Sequence, residues 1–366
     1  MEPVRIGIVG CGNISGIYFH NLGSYRSTTV VACADLDLDR AKAAAEKHGV
    51  PLALSPDDLI SHPDVELVVN LTIPAAHGPV AQQAVEHGKH VYNEKPLTST
   101  RAEAAELLKR AGEKGVLVGG APDTFLGGGI QTCRRLIDEG RIGEPLAAQA
   151  FMLCRGHESW HPAPEFYYQK GGGPMLDMGP YYVTALVNLL GPVRRVTGSV
   201  RASFPTRLIT SQPKSGTIIK VETPTHLAGV MDFASGVIGE ITTSFDVMHA
   251  RLSPITIYGS EGTLHVPDPN GFGGDIEVRG VGDQDWTHIS LAAGFNDNER
   301  GVGVLDMAYA IRNGGLARAS GALAYHVLDV MLAFEDASNA GKHVDIKTKV
   351  QRPEPFAAGQ YADERK

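Results

Sequence analysis

Two titratable side chains, Asp177 and Tyr181, stand four residues apart just after a run of glycines. The stretch 171–182 reads GGGPMLDMGPYY. Its glycines allow the backbone to approach a ligand closely. The apolar residues that follow predict a helix, in which positions i and i+4 share one face. A carboxylate and a phenol on one face suit proton exchange with a bound hydroxyl. A glycine loop with a capping aspartate and a core tyrosine fits the same residues, so other parts of the chain must decide.

Composition limits the classes of protein to which the chain can belong. The 366 residues exceed one typical core and predict two domains. The net charge of −8 argues against nucleic acid or an anionic membrane as the main partner. Four scattered cysteines without a CxxC pair predict neither a disulfide framework nor a zinc ribbon. Because no signal peptide or membrane span is recognisable either, we expect a cytoplasmic protein.

A glycine-rich turn near the N-terminus predicts a dinucleotide site. The apolar run VRIGIV at 4–9 is typical of a buried parallel strand, and GCGNISG at 10–16 leads from it into a helical pattern. Glycines at this spacing permit a tight turn and let a pyrophosphate approach backbone N–H groups at a helix N-terminus. We therefore predict that Gly10, Gly12, Asn13 and Ile14 bind a cofactor.

An acidic residue at the end of the second strand indicates which dinucleotide is bound. The strand at 29–34 (TVVACA) ends at Asp35, about 25 positions after the first glycine of the turn. A carboxylate there accepts both ribose hydroxyls and repels a 2′-phosphate, which favours NAD over NADP. No arginine follows immediately, since Arg40 lies inside the next helix. The alternative role for Asp35 is a simple helix cap.

Strands and helices alternate through the first third of the chain. Strands at 66–71, 90–93 and 116–119 and helices at 37–48, 75–86 and 102–113 predict βαβ units and a parallel sheet. Ligands bind at the C-terminal strand ends of such a sheet. We therefore expect further cofactor contacts from the segments after these strands, which hold Thr72, Pro74, His77, Glu94 and Lys95.

These motifs together resemble the Gfo/Idh/MocA family of sugar and polyol dehydrogenases. The likeness is carried by GCGNIS at 10–15, Asp35, TIPAAH at 72–77, AVEHGKHVYNEKP at 84–96, LIDEGRIGEP at 136–145 and GGGPMLDMG at 171–179. It implies an α/β fold, with an N-terminal Rossmann dinucleotide-binding domain followed by an α+β domain. The second domain would contain a large, mostly antiparallel open sheet that mediates oligomerisation. We expect the domains at 1–123 and 124–350, with a polar C-terminal tail at 351–366.

The resemblance also implies catalytic residues, with one departure. In the family, the lysine of the Glu-Lys-Pro segment lies beside the nicotinamide and the substrate hydroxyl, and here that residue is Lys95. An aspartate and a histidine four residues apart complete the family's site. Asp177 matches the aspartate, but Tyr181 stands at the histidine position. The general base therefore stays open among Lys95, Asp177 and Tyr181. An ammonium beside a phenol favours the phenolate, so a lysine–tyrosine pair can replace the histidine.

A loop before the glycine run carries His157-Glu158-x-x-His161, which matches the zincin motif HExxH. Two histidines of that motif chelate zinc from one helix, whereas Pro162 disfavours helix at His161. We therefore expect no metal. The loop is better interpreted as a substrate loop, in which Trp160 stacks on a sugar and the histidines bind hydroxyls. The alternative is a solvated loop with a half-buried tryptophan.

The predicted activity is an NAD-dependent dehydrogenase that oxidises a secondary hydroxyl of a sugar, polyol or glycoside to a ketone. The substrate-binding residues would be Lys95, Asp123, His157, Trp160, His161, Asp177 and Tyr181. One alternative is an NAD-dependent glycosidase that works by transient oxidation, elimination and reduction. A second is a non-catalytic dinucleotide-binding regulator. The β-rich runs between 195 and 266 predict a sheet with a broad face, which suggests a homodimer or homotetramer.

Overall fold

The computed structural model describes residues 1–291, 294–357 and 359–366. The chain divides into two compact units. The first unit comprises Met1–Gly128, Ala293–Leu328 and Pro353–Lys366, and the second comprises Gly129–Ala292 and Asp329–Arg352.

A parallel sheet forms the centre of the first unit. Its strands are β1 (Val4–Val9), β2 (Thr28–Ala34), β3 (Leu52–Leu54), β4 (Leu67–Asn70), β5 (His90–Asn93) and β6 (Val118–Gly120). Within the described residues these six strands are ordered β3-β2-β1-β4-β5-β6, and their pairings are parallel. The strand order reverses beside β1, so the C-terminal ends of β1 and β4 border the crevice where such sheets bind ligands. Ile6 and Ile8 on one face of β1 and Gly7 and Val9 on the other are buried, as a strand covered on both faces requires.

The helices follow the predicted alternation and add one short element, α3. They are α1 (Ser15–Ser24), α2 (Leu38–His48), α3 (Pro56–Ser61), α4 (Pro74–Glu86), α5 (Arg101–Lys114), α6 (Gly128–Asp138), α7 (Pro174–Asp177), α8 (Gly179–Leu190), α9 (Val302–Asn313) and α10 (Gly321–Ala340). Local chemistry sets their ends. Helix α5 begins with a capping box between Thr100 and Glu103 and ends at Gly115, which has φ +68°.

The second unit is built on a larger, mixed sheet. The strands of this unit are β7 (Pro145–Leu153), β8 (Val193–Arg201), β9 (Thr206–Leu208), β10 (Ile218–Lys220), β11 (His226–Phe233), β12 (Ile238–Ser244), β13 (Ile255–Gly259), β14 (Gly262–Val266), β15 (Ile276–Gly280), β16 (Thr287–Ile289) and β17 (Val344–Asp345). Across the described ranges, nine of them are ordered β16-β15-β14-β13-β7-β12-β11-β8-β17, while β9 and β10 pair separately. The pairing of β7 with β12 is parallel and the others are antiparallel. This confirms the predicted mostly antiparallel sheet.

Glycines let a helix approach this sheet closely. The ring of Phe334 on α10 packs against Gly198 of β8 and Gly229 of β11, and a Cβ at Gly229 would lie 2.4 Å from the ring. Phe334 is fully buried. The glycines of these strands therefore provide the space that an aromatic anchor needs in the core.

The compact units differ from the predicted domain boundaries. Residues 294–328, expected in the second domain, belong to the first unit, as does the segment 353–366 that was expected to be a polar tail. The carboxylate of Glu364, 6% exposed, accepts hydrogen bonds from the Ser27 hydroxyl at 2.6 Å, the Ser27 N–H at 2.9 Å and the Tyr309 hydroxyl. Polar composition suggested solvation there, but three donors compensate for burying this single carboxylate.

No helix in the described part of the chain is long and apolar enough to cross a membrane.

Candidate active site

The glycine turn after β1 forms a cradle for a phosphate group. Gly10 has φ +98°, and a Cβ there would lie 2.7 Å from the Leu71 carbonyl oxygen, so only glycine fits. A Cβ at Gly12 would meet no protein atom within 4 Å. Helix α1 begins just after this turn without a side-chain cap or an acidic residue in its first turn. Its N–H groups and the open backbone suit a pyrophosphate, which fits NAD.

Asp35 lies at the end of β2 and is tied to the glycine turn. Its Oδ2 accepts a hydrogen bond from the Cys11 N–H at 2.9 Å. Its Oδ1 accepts one from the Asp37 N–H at 3.0 Å and lies 3.3 Å from a guanidinium nitrogen of Arg40. The cap of α2 is Asp37, whose carboxylate accepts the N–H groups of Asp39 and Arg40. The helix-cap alternative therefore applies to Asp37 and not to Asp35.

Buried polar side chains collect where β4, β5 and β6 end. We call Asn70, His77, Asn93, Glu94 and Asp123 the strand-end cluster. Asn70 donates a hydrogen bond to Asn93 Oδ1 at 3.0 Å and accepts one from the Thr72 hydroxyl at 2.6 Å. Asn93 donates in turn to the Leu97 carbonyl at 2.8 Å. Both asparagines are fully buried, so their hydrogen bonds connect the loops after β4 and β5.

His77 also lies between these loops, and this position corrects its predicted contact with the cofactor. Its side chain is 1% exposed. Nδ1 lies 2.6 Å from the Pro96 carbonyl oxygen and Nε2 lies 3.0 Å from the Thr72 carbonyl oxygen. Burial lowers the pKa of His77. Both nitrogens face backbone carbonyls. A neutral imidazole carries a single N–H, so the ring donates a hydrogen bond to one of these carbonyls and only contacts the other, and neither nitrogen is left for a dinucleotide.

Lys95 follows β5 directly, and its backbone is fixed by Glu94. One oxygen of Glu94 accepts the Lys95 N–H at 2.9 Å, and the other accepts the Tyr18 hydroxyl at 2.8 Å. Burial, together with the Glu94 charge, raises the pKa of Tyr18. The Lys95–Pro96 peptide is cis. The Lys95 turn is therefore held by Glu94 on one side and by His77 on the other, at the strand ends where ligands bind.

Asp123 is placed differently from its predicted role in substrate binding. Its side chain is 1% exposed, and its Oδ2 accepts the N–H groups of Gly301 at 2.8 Å and Gly303 at 2.9 Å. These donors lie where α9 begins. Burial raises the pKa of Asp123 to about 6. A substrate hydroxyl would have to displace both N–H groups, so this carboxylate is a structural anchor.

Asp177 and Tyr181 do not share the single helix that their spacing predicts. Helix α7 ends at Asp177 and α8 begins at Gly179. Met178, between them, has φ −108° and ψ −24°. Tyr181 is buried in the first turn of α8, with 9% exposure. Met178 keeps right-handed helical angles, so Asp177 and Tyr181 lie on two helices that are separated by a single residue.

His157 is a titratable side chain that lies against Asp177. His157 Nε2 is 3.4 Å from Asp177 Oδ2. The imidazole sits among aromatic rings, with centroid distances of 4.1 Å to Tyr167, 4.6 Å to Phe245 and 5.3 Å to Trp160. Within the described residues neither ring nitrogen has an aligned hydrogen-bond partner. We call these rings, with Asp177, the loop cluster.

The other members of the HExxH sequence point elsewhere. Glu158 pairs with Arg207 at 3.0 Å and accepts the Tyr168 hydroxyl. His161 Nδ1 accepts the Ala163 N–H at 3.0 Å, and burial lowers the pKa of His161. Among residues that the structure describes, no group of three or more His, Cys, Asp or Glu side chains is arranged to hold a metal ion. Trp160 is 60% exposed, as a ring that stacks on a ligand must be.

The contact between His157 and Asp177 is the feature that sequence reasoning missed. The two residues lie on different loops, so no helical or strand periodicity connects them. The available signals were the two histidines of the loop and the absence of a histidine four residues after Asp177. A missing histidine at one position is a reason to look for another histidine nearby in space.

Two family models match the chain. One, described as an oxidoreductase family with an NAD-binding Rossmann fold, matches residues 4–120. The other, the Gfo/Idh/MocA C-terminal domain, matches residues 130–265. These matches confirm the predicted fold class and NAD as the cofactor.

Similar proteins act on sugar derivatives, according to their names. A dTDP-3,4-didehydro-2,6-dideoxy-alpha-D-glucose 3-reductase from Streptomyces violaceoruber is 31% identical over 55% of this chain and 58% of its own. A 1,5-anhydro-D-fructose reductase from Ensifer adhaerens is 29% identical over 71% of this chain and 74% of its own. The chain spans 55–58% of the length of three such curated relatives. A solved levoglucosan dehydrogenase, in complex with NADH and levoglucosan, shares the fold with a TM-score of 0.83 at 20% identity, covering 95% of this chain and all of that one.

Proposed function

Because the chain belongs to the Gfo/Idh/MocA family of oxidoreductases, we propose that it oxidises a secondary hydroxyl of a sugar, polyol or glycoside to a ketone with NAD. The observation that carries this proposal is the Lys95 turn, whose backbone is held by Glu94 and His77 at the strand ends of an NAD-binding sheet. A lysine whose backbone is fixed at a ligand-binding edge can hold its ammonium beside a bound substrate.

The reaction needs a hydride acceptor and a proton acceptor. NAD supplies the first when bound, so that alcohol and NAD⁺ become ketone, NADH and one proton. The proton must pass to a base within hydrogen-bonding distance of the hydroxyl. We assign the proton-handling roles to Lys95 and Asp177, with Tyr181 as an acid–base partner. Gly10, Gly12, Asn13, Ile14, Asp35, Thr72, Pro74 and Glu94 remain the proposed cofactor-binding residues.

Two observations support a sugar as the substrate. The names of the relatives given above each specify a sugar or an anhydrosugar. In this chain, the exposed indole of Trp160 stands beside His157 and His161, with centroid distances of 5.3 and 5.4 Å. A flat aromatic face next to hydrogen-bonding rings suits the apolar face and hydroxyls of a pyranose.

A substrate panel tests the proposal. Monosaccharides, inositols and glycosides are incubated with the protein and NAD, and NADH and sugar product are followed together. We expect NADH and a keto product to accumulate in equal amounts for at least one sugar. Release of an aglycone without net NADH would indicate the glycosidase reaction instead. Tight NAD binding without turnover of any compound would indicate a regulator.

We place the contact of a homodimer or homotetramer on the outer face of the large sheet. Ile238 of β12 and Tyr258 of β13 pair in register with Ala147 of β7 from its two sides. They are 55% and 38% exposed. Exposed apolar side chains on adjacent strands favour burial against a second copy. Sedimentation velocity measures the resulting oligomeric state.

A further inference from the structure

We propose that His157 stores the proton that Asp177 takes from the substrate, so that the two side chains form a relay pair. This inference rests on the proposed function and adds a positioning residue to it. The distance of 3.4 Å between His157 Nε2 and Asp177 Oδ2 brings the groups within reach of one shared proton. Their side chains are 12% and 18% exposed, so water competes little for that proton.

The state of the imidazole follows from its surroundings. Among the described residues, neither ring nitrogen has a hydrogen-bond partner, although both atoms are buried. We assign the proton of the neutral ring to Nδ1, so that Nε2 turns its lone pair toward Asp177. A lone pair and a carboxylate repel each other until a proton lies between them. A proton that enters the site is therefore best placed between the two groups.

The proton then has a complete path. The O–H bond of the substrate breaks, and its proton passes to the Asp177 carboxylate and on to His157 Nε2. The carbon gives up its hydride to NAD and becomes a carbonyl. The relay ends as an imidazolium beside a carboxylate, an ion pair that a nearly dry site favours over two separated charges. The imidazolium later loses its proton to solvent, which restores the neutral ring.

The neighbours of His157 leave Asp177 as its carboxylate partner. Glu158 and Asp246 both pair with Arg207, so each has a cationic partner other than His157. The titratable side chains beside the ring are Asp177, His161 and Tyr167, and the Tyr168 hydroxyl accepts the His157 N–H. Glu158, Arg207, Asp246 and Cys154 interact with these residues or with one another. Aromatic rings close the remaining sides, which strengthens electrostatic coupling within the pair.

The pH profile of kcat/KM tests the relay. In the wild type, activity rises with pH as the pair loses its proton. In His157→Gln the second proton-binding group of the pair is gone, so we expect the acid limb to move down by about one unit or more. We expect kcat to fall about tenfold, because the weaker base transfers the proton less readily. Because the histidine acts through Asp177, His157→Gln has no further effect in an Asp177→Asn background.

A second histidine–carboxylate pair provides a matched control. His265 Nδ1 lies 3.3 Å from Glu277 Oε2, and its ring stacks on Trp286 at 3.9 Å. His265→Gln removes a comparable pair from the same unit and leaves both kcat and the acid limb unchanged. His157→Asn provides a second variant in case the first folds poorly.

The outcomes separate the relay from the proposed function. An acid limb that moves in His157→Gln or His157→Asn supports the relay. A limb that stays in place while kcat falls shows that His157 only packs, and it overturns the relay with the dehydrogenase intact. A folded wild type that oxidises no sugar in the panel refutes the proposed function, and the relay with it.

Discussion

The strand-end cluster and the loop cluster both bury polar side chains, yet they satisfy them in opposite ways. In the strand-end cluster, both ring nitrogens of His77 face carbonyl oxygens. In the loop cluster, both ring nitrogens of His157 are buried without an aligned partner among the described residues. His77 is the more buried of the two, with 1% exposure for the residue against 12% for the His157 side chain, although both ring nitrogens of His157 are themselves buried.

The difference in pairing separates a group that holds the fold from a group that is available for chemistry. A fully paired buried network is rigid, because each bond constrains its neighbours. An unpaired buried group costs folding free energy, and natural proteins retain such groups mainly where function requires them. The comparison therefore predicts that substitutions in the strand-end cluster change stability, while those in the loop cluster change turnover.

The largest effect is expected from Lys95→Met, which removes an ammonium but keeps the backbone of the strand-end cluster. The contact with Glu94 uses the Lys95 N–H, so the turn survives the substitution. We expect kcat to fall by about 10²-fold or more, in line with general acid–base contributions. The melting temperature stays within about 2 °C of the wild type, because the hydrogen bond from the Lys95 N–H to Glu94 that holds the turn is kept. Steady-state kinetics and thermal unfolding measure the two quantities.

Lys109→Met is the matched control for this substitution. The Lys109 side chain is 64% exposed on α5, and its ion pairs with Glu106 and Glu113 have N–O distances of 3.9 and 4.0 Å. Surface pairs of this kind contribute little. Wild-type turnover in Lys95→Met would place the chemistry elsewhere, and a large fall in Lys109→Met would show that loss of charge, not loss of the catalytic ammonium, lowers kcat.

An effect on stability is expected from Asp123→Asn, at the edge of the strand-end cluster. The folded protein raises the pKa of Asp123 to about 6, from roughly 3.9 in an unfolded chain. Between these values the folded state binds more protons than the unfolded state, so the free energy of unfolding falls as pH rises. Across pH ~4 to ~6, the wild type loses up to roughly 3 kcal/mol relative to the variant. Urea unfolding at several pH values measures this loss.

The amide keeps the geometry while removing the titration. One oxygen of Asp123 accepts both N–H groups, from Gly301 and Gly303, and the asparagine oxygen can do the same. A stability difference between wild type and variant that is constant from pH 4 to pH 6 would contradict the shifted pKa.

Regular patterns made much of the fold predictable. The glycine turn, Asp35 and the alternating strands follow local rules of spacing, and the structure places Gly10 and Asp35 as those rules expect. The compact units differ from the predicted domain boundaries because contacts distant in sequence decide them. Glu364 is held by Ser27, which lies 337 positions away, and no local pattern reports such a pair.

The candidate site was predictable by residue type but not by contact. His77, Asp123 and His157 were each recognised as residues near the site, since they follow strands or occupy a motif. Their partners decide their roles, and those partners come from other loops. The Asp123 carboxylate, for example, accepts hydrogen bonds from N–H groups that lie 178 and 180 positions away in the sequence. A sequence can therefore nominate polar residues, while burial and pairing separate anchors from reactive groups.

The most direct test of the comparison replaces each of the two histidines with phenylalanine. His77→Phe removes the single N–H that the ring donates to the carbonyl of Pro96 or Thr72 and is expected to destabilise the protein by about 2 kcal/mol. His157→Phe removes two nitrogens that have no aligned partner in the described structure and keeps an aromatic ring among Tyr167, Phe245 and Trp160. Its free energy of unfolding should stay within about 0.5 kcal/mol of the wild type, because replacing an unpaired polar group by an apolar group of similar shape is nearly neutral. Urea unfolding of both variants at one pH measures the difference. Equal losses of stability would show that His157 has a structural partner after all, and the distinction between the two clusters would then disappear.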